Sequence, residues 1–361
     1  MSALREAITE NAALFLFLGG LAIGALYGIV ARLTGFCTLG GVSDWVNIKD
    51  SRRLRAWGLA AGIAILGATI LEFGGVTDLS LSIYLAPRLD WAGALLGGTL
   101  FGIGMALASG CPSRNLVRAG GGDLRALLTL LVLALFAEMT LGGVFAPARV
   151  ALADATMLPS GAARQSMGDL LSAKSALGAP IARLAAGLGI GLLLVTLSLL
   201  SKPFLSSPRH LVSGLGVGAA VVAAWGITGL AYDEMALVPQ RPQGLSFVSP
   251  TADAFEWLGR STAKGLPGFA AALVFGVLAG SALASIATRG FRIMTFADAG
   301  DTVRHLLGAA LMGTGGIMGL GCSIGQGITG ISTLAFGSLL ATAGIILGAL
   351  LGLRALERWA A

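Results

Sequence analysis

Long apolar runs broken by short polar stretches fill the chain, and nine of them reach the length of a membrane-spanning helix. They fall at residues 12–34, 56–75, 91–109, 124–146, 179–200, 210–230, 266–288, 304–320 and 337–358. About 20 apolar residues cross the hydrocarbon core of a bilayer as a helix. The third and eighth runs are short and interrupted by glycine, which predicts half-helices leading into re-entrant loops. Two longer polar connections, 147–178 and 231–265, contain Pro, Ser and Asp with scattered charge. They are expected to be loops and short interfacial helices on one side of the membrane. The pattern defines an all-α polytopic membrane protein with about nine transmembrane helices.

An odd number of spans puts the two ends of the chain on opposite sides. With the N-terminus outside, most Lys and Arg fall in inner segments: Arg32, Lys49, Arg52, Arg53 and Arg55, then Arg114, Arg118 and Arg125, then Lys202 and Arg209, and later Arg289, Arg292, Arg304, Arg354 and Arg358. Basic residues favour the cytoplasmic face. The chain is therefore expected in the cell inner (plasma) membrane as a multi-pass protein, N-terminus outside and C-terminus cytoplasmic, with membrane lipid as its surroundings. Ser2 to Ala12 shows no small-residue cleavage site, so no cleavable leader is expected.

Composition narrows the function. Of 361 residues 55% are hydrophobic and only 12% charged, against about 25% charged in globular domains. The net charge of +6 is that of basic inner loops and does not imply nucleic acid. The two histidines, His210 and His305, stand far apart, so no histidine metal site and no resident metal or cofactor is expected. No GxxxxGK[ST] segment is present, so no nucleotide-driven transport is expected of the chain itself.

The candidate chemistry lies in three glycine-rich breaks. GTGGIMGLGCSIGQGITG (Gly313–Gly330) carries Cys322, the segment Gly98–Gly122 carries Cys111, and TGFCTLGG carries Cys37. All three cysteines of the chain lie in such breaks. Irregular backbone at membrane depth is tolerated where protein or a watery cavity surrounds it, so these breaks are candidate binding sites. Gly93-Ala94 with Gly98-Thr99 resembles Gly308-Ala309 with Gly313-Thr314, and the two stretches run on to Gly110-Cys111 and Gly321-Cys322, the second four residues shorter. This predicts an inverted repeat: a first half at 1–178, a linker helix at 179–209 and a second half at 210–361, in one transporter domain. Such repeats place substrate near the midplane, at broken helices. Gly35-Phe36-Cys37 also resembles Gly290-Phe291-Arg292, yet both would lie on one side, against the inverted pairing.

Several roles compete for the cysteines. They could be small packing residues, soft-metal ligands with Met105 or Met318 nearby, or a catalytic thiolate helped by Arg114 and Arg118. A relay of neutral thiols fits their single placement better. A buried thiol keeps its proton, donates weakly, and meets a sulfur-containing anion without repelling it. Glycine amides add donors, and weak sites both admit and release an ion. Arg114 and Arg118 would attract the anion at one mouth, and Gln326 would orient one of its oxygens. Pro112 suits the first position of a helix, and Asp123 suits the cap of the fourth span. Gly20-Gly24-Gly28 and Gly344-Gly348-Gly352 suit close helix packing. Glu138, mid-span, is a functional candidate with no nameable partner.

GFCTLGG with Asp44, SGCPSRNLVRAGGGDLRAL and GLGCSIGQGITGISTLAFGSLLA together resemble the YeeE/YedE family of membrane proteins over nearly the whole chain. The resemblance implies an hourglass of helices with loops plunging to the centre, and uptake of thiosulfate or a related small inorganic sulfur compound through transient S–H contacts. Cys37, Cys111 and Cys322 would be the pathway cysteines, flanked by Gly110 and Gly321. It implies a transporter, not an enzyme, and a TusA-like cytoplasmic sulfur carrier as partner; no such domain is expected after Ala361. Pro112–Asn115 departs from the thiosulfate carriers toward the YedE-like branch. The alternatives are an intramembrane sulfurtransferase, passing persulfide sulfur from Cys111 to the carrier, and a permease for selenium compounds or soft metals.

Overall fold

A computed structural model describes residues 8–159, 164–174, 178–236 and 239–360. Most of the stretch Ser2–Ala12, on which the absence of a leader was read, lies outside them, as does Ala361. The fold is almost wholly helical. Helices α1 (Ala12–Thr34), α2 (Thr38–Ile48), α3 (Arg52–Phe73), α4 (Trp91–Leu107), α5 (Pro112–Gly120) and α6 (Leu124–Leu141) form its first part. Two shorter helices, α7 (Ala146–Thr156) and α8 (Met167–Lys174), lead to α9 (Ala179–Leu199). Then come α10 (Pro208–Leu230), α11 (Ser249–Lys264), α12 (Phe269–Ala287), α13 (Ala299–Met318), a π-helical turn (Gly325–Gly330) and α14 (Phe336–Ala360). Strands β1 (Arg88–Asp90) and β2 (Met157–Pro159) pair antiparallel at the surface.

Eight helices among the described residues are long and apolar enough to cross a membrane. The ninth expected span, α13, forms but falls short in apolarity, because Asp301, Arg304 and His305 occupy its first turns. Its 20 residues rise about 30 Å and run antiparallel to α4. Neither α4 nor α13 is a half-helix. Each is a complete helix with the short return of the chain appended to it.

Glycines set the pairing because they let backbones touch. A Cβ on Gly20 or Gly28 would stand 2.5 Å from the carbonyl oxygen of Phe269 or Val277, so the glycine stripe of α1 lies parallel on α12. Gly344 and Gly348 press on Leu95 and Thr99, laying α14 parallel on α4. Helix α10 runs parallel to α3, with Gly214 on Ala56 and Gly218 on Ala60. It runs antiparallel to α1, with Gly216 on Val30 where Ile227 covers Gly19. Helix α9 packs antiparallel on α3, Gly187 against Thr69 and Gly191 against Leu66, and its Arg183 also pairs with Asp169 of α8.

Aspartates start three helices as short side chains that accept from early amides. Asp90 accepts from Gly93 N at 2.8 Å, Asp123 from Arg125 N at 3.1 Å and Asp298 from Asp301 N at 2.8 Å. Large apolar side chains such as Leu18, Leu26, Ile70 and Leu193 remain exposed on the outer faces, as lipid contact requires.

The connection 231–265 does not stay at the surface as expected. Leu245, Phe247 and Val248 are completely buried. Thr329 Oγ1 donates to the Leu245 carbonyl at 2.7 Å, and Thr228 Oγ1 exchanges hydrogen bonds with Gln243. The backbone of this loop finds its partners among helical threonines, and that is what lets it dip beside the π-helical turn.

Candidate functional site

Each cysteine stands just ahead of a short helical segment. Cys37 caps α2, its sulfur accepting from Gly40 N at 3.3 Å. Cys111 caps α5 with Pro112 in the first turn. Cys322 accepts from Gly325 N at 3.2 Å, with the Phe247 backbone of the inserted loop beside it. Cys111 and Cys322 are buried and Cys37 is half-buried. A sulfur that accepts from an amide keeps its own S–H free to donate elsewhere. Helix N-termini at Cys37 and Cys111 also favour negative charge.

The two main breaks share one backbone turn. Gly110 N donates to Met105 O at 2.9 Å, and Gly321 N donates to Gly316 O at 2.8 Å. Asn115 N reaches Cys111 O at 2.9 Å, as Gln326 N reaches Cys322 O at 2.8 Å. Asn115 Nδ2 then holds the Gly110 carbonyl and Gln326 Nε2 the Gly319 carbonyl. The register differs from the sequence expectation. Gly97 packs on Gly315 and Gly319 while Gly104 packs on Gly308, so Gly97, not Gly93, matches Gly308. No four-residue shortening is needed, because these crossing contacts require glycine at 97, 104, 308 and 315.

Tyr27, buried in α1, joins the breaks. Its ring lies 5.0 Å from that of Phe247. Its hydroxyl lies near Ser113 and the three cysteines. Ser113 Oγ lies 3.1 Å from Cys111 Sγ. The sequence singled out neither Tyr27 nor Ser113: an aromatic inside an apolar run carries no local mark of its function.

The arginines divide. Arg118 Nη2 binds Asp123 at 2.7 Å, and Arg125 binds the same carboxylate at 3.1 Å. Arg118 is thus committed to a buried acid and is not free to meet an anion. Arg114 forms no ion pair among the described residues, and its charge acts on Cys37, as does that of Arg53. Gln326 spends its amide N–H on Gly319, leaving its buried Oε1 without a partner. An open acceptor suits an S–H donor, not the anion oxygen expected there. Glu138 acquires charged neighbours in Glu256 and Lys264.

A cavity of about 340 Å³ reaches Gly321, the residue before Cys322, and is lined by Gly316, Ile317, Gly244 and Ser246, with Arg149, Arg241 and Asp253 on its wall. A smaller one holds Cys37, Ser323 and Arg53. Among the described residues no three His, Cys, Asp or Glu side chains cluster as metal ligands.

The chain is a polytopic helical membrane protein in which a thiol heads each of three glycine-rich breaks. The chain belongs to the sulphur transport family, which it matches over residues 33–351. It is similar to the thiosulfate transporter TsuA of Escherichia coli strain K12, 29% identical over 331 residues that make up 87% of each chain. It is also similar to the thiosulfate transporter TsuA of Spirochaeta thermophila, 24% identical over 91% of this chain and 96% of that one. The family and both relatives' names describe transporters, not enzymes.

Proposed function

We propose that this protein takes up thiosulfate, or a closely related small sulfur anion, across the inner membrane by a relay of neutral thiols. The observation that carries the reading is the matched turn of the two main breaks, which sets buried Cys111 and Cys322 one residue after Gly110 and Gly321, whose amides reach back to Met105 O and Gly316 O. The anion enters the cavity beside Gly321, where Arg149 and Arg241 offset its charge. Cys322 receives it, Tyr27 and Ser113 hand it to Cys111, and Cys37 releases it beside Arg53 and Arg114. Weak S–H and hydroxyl donors let it bind and leave. The two relatives, named for thiosulfate, support the substrate.

In this reading the chain has two inverted halves with α9 as linker. The paired contacts α1–α12 with α3–α10, and α4–α14 with α13–α6, support it. The N-terminus is outside and the C-terminus cytoplasmic, so Arg53 and Arg114 face the cell interior, where a TusA-like carrier would collect sulfur. Thiosulfate uptake into proteoliposomes tests the whole reading. Wild type is expected to accumulate the ion and Cys322→Ala to lose uptake while remaining folded. Equal uptake by both would refute the relay.

A further inference from the structure

The cavity beside Gly321 has a neighbour of about 130 Å³ that reaches Met318 and Gly319, so both close on the turn leading to Cys322. Among the described residues three line both cavities: Arg149, Tyr84 and Leu320. Leu320 is the residue before Gly321 in that turn. Tyr84 belongs to a short 3₁₀ turn, Ile83–Leu85, in the connection between α3 and α4, and it lies near Cys322. We propose that Tyr84 and Arg149 form the first subsite of the transport path, the guanidinium holding the anion's oxygens and the phenol hydroxyl guiding the ion onto Cys322. The proposal rests on the reading above and deepens it, by naming in Tyr84 a binding residue that the relay of thiols leaves out.

Both side chains are held by groups that leave their chemistry unspent. Arg149 donates through Nε to Thr140 O at 3.0 Å and through Nη2 to Leu141 O at 3.3 Å. These are neutral carbonyls at the end of α6, and among the described residues no carboxylate pairs with the guanidinium. Arg118, tied to Asp123, is the contrast. A guanidinium fixed in place with donors left over suits a small oxyanion. Tyr84 is 5% exposed, with its ring edge-on to Trp225, centroids 6.5 Å apart at 75°. Trp225 is completely buried, and its indole N–H donates to Ser332 Oγ at 3.0 Å. That contact fixes the pair of rings beside the π-helical turn. Burial, then the nearness of Cys322, keeps the Tyr84 phenol protonated, so it meets an anion as a neutral donor. The chain has three tyrosines, and two of them, Tyr27 and Tyr84, lie near Cys322. Tyr84 is the one that lines the cavities, so the thiol takes the ion from Tyr84 and passes it toward Tyr27.

The test is thiosulfate uptake by proteoliposomes of the full chain carrying Tyr84→Phe or Arg149→Gln, with Arg149→Lys as the variant that keeps the charge. Losing one hydrogen bond to a charged ligand is expected to raise KM about tenfold in Tyr84→Phe, with maximal rate and melting temperature unchanged. Arg149→Gln is expected to raise KM at least as far, and Arg149→Lys to recover part of the loss. Tyr84→Phe keeps the ring and decides the matter if Arg149→Gln fails to fold. Binding is read without transport, as protection of Cys322 by thiosulfate in purified protein against a small anionic methanethiosulfonate reagent, the labelled cysteine being identified by mass spectrometry. Tyr84→Phe is expected to need about tenfold more thiosulfate for half protection. Unchanged KM and unchanged protection in Tyr84→Phe, with Cys322→Ala still inactive, would overturn the subsite and leave the relay standing. If wild type carries no thiosulfate, the relay reading fails, and protection decides the subsite separately. Weaker protection in Tyr84→Phe supports it; equal protection, or none in wild type, overturns it.

Discussion

Ser109 and Leu320, neither of them glycine, hold the same left-handed backbone, φ 56° in each, one residue before Gly110 and Gly321. The conformation turns each helix end so that the following glycine amide reaches back five residues, to Met105 and to Gly316. A left-handed non-glycine residue costs about 1–2 kcal/mol, and a β-branched one more. Leu320→Ile is therefore expected to lower the melting temperature in detergent, and Leu320→Gly to hold or raise it. The reverse order would mean that side-chain packing, not backbone geometry, governs the turn.

Gly104 and Gly308 let α4 and α13 cross in contact. A Cβ at Gly104 would stand 2.5 Å from Gly308 O and 2.8 Å from Met312 N, both backbone atoms that cannot swing aside. Gly104→Ala is expected to destabilise by about 1–3 kcal/mol, the range for overpacking, and to reduce uptake by shifting Cys111. Gly142→Ala, at a position with nothing within 4 Å, is the matched control for the melting measurement.

These glycines also show how much of the molecule the sequence reveals. Apolar length exposed the spans, and the stripes at Gly20-Gly24-Gly28 and Gly344-Gly348-Gly352 marked true helix contacts. Three cysteines in glycine-rich breaks pointed to the turns that the structure builds. The register between the breaks was misjudged because glycine is so common here that several alignments match equally. Only contact partners choose Gly97 over Gly93 as the counterpart of Gly308. The buried run Leu245–Val248 was read as surface because proline and serine flank it. Its Leu245 carbonyl accepts from distant Thr329, and such long-range pairing leaves no periodicity. Tyr27 was invisible for the same reason.

Arg114 and Arg118 lie one helical turn apart on α5 yet should respond differently. Arg118 is tied to Asp123, itself 1% exposed. Removing one partner of a buried pair costs up to about 3–5 kcal/mol, less here because Arg118 and Arg125 keep some exposure. Asp123→Asn and Arg118→Gln are expected to lower thermal stability. Arg114→Gln is expected to leave stability unchanged and to slow uptake several-fold. Melting curves and initial uptake rates on the same preparations separate the two effects.

Cys111 has a hydroxyl beside it at 3.1 Å, whereas Cys322 is held by backbone amides. Serine at either position keeps a donor and an acceptor. Cys111→Ser is expected to retain a measurable fraction of uptake, because Ser113 and Tyr27 continue the donor chain, and Cys111→Ala to retain none. Equal inactivity of the two would mean that transport needs sulfur chemistry at that position and not merely a donor.

Asp253 sits on the wall of the cavity beside Gly321 with Arg149 and Arg241. Burial, then the neighbouring carboxylates of Glu138 and Glu256, push its pKa up to about 6, with Lys264 opposing. Above that value the carboxylate is ionised and repels an entering anion; below it the side chain is neutral. Thiosulfate itself stays fully ionised over this range, so a pH effect belongs to the protein. The KM for uptake is expected to fall as the pH on the cavity's side of the membrane drops from about 7 to about 5, with a midpoint near the raised pKa. Asp253→Asn is expected to hold the low KM across the whole range. Initial rates at fixed pH on the opposite side measure both. A pH step that persists unchanged in Asp253→Asn would assign the titration to another group.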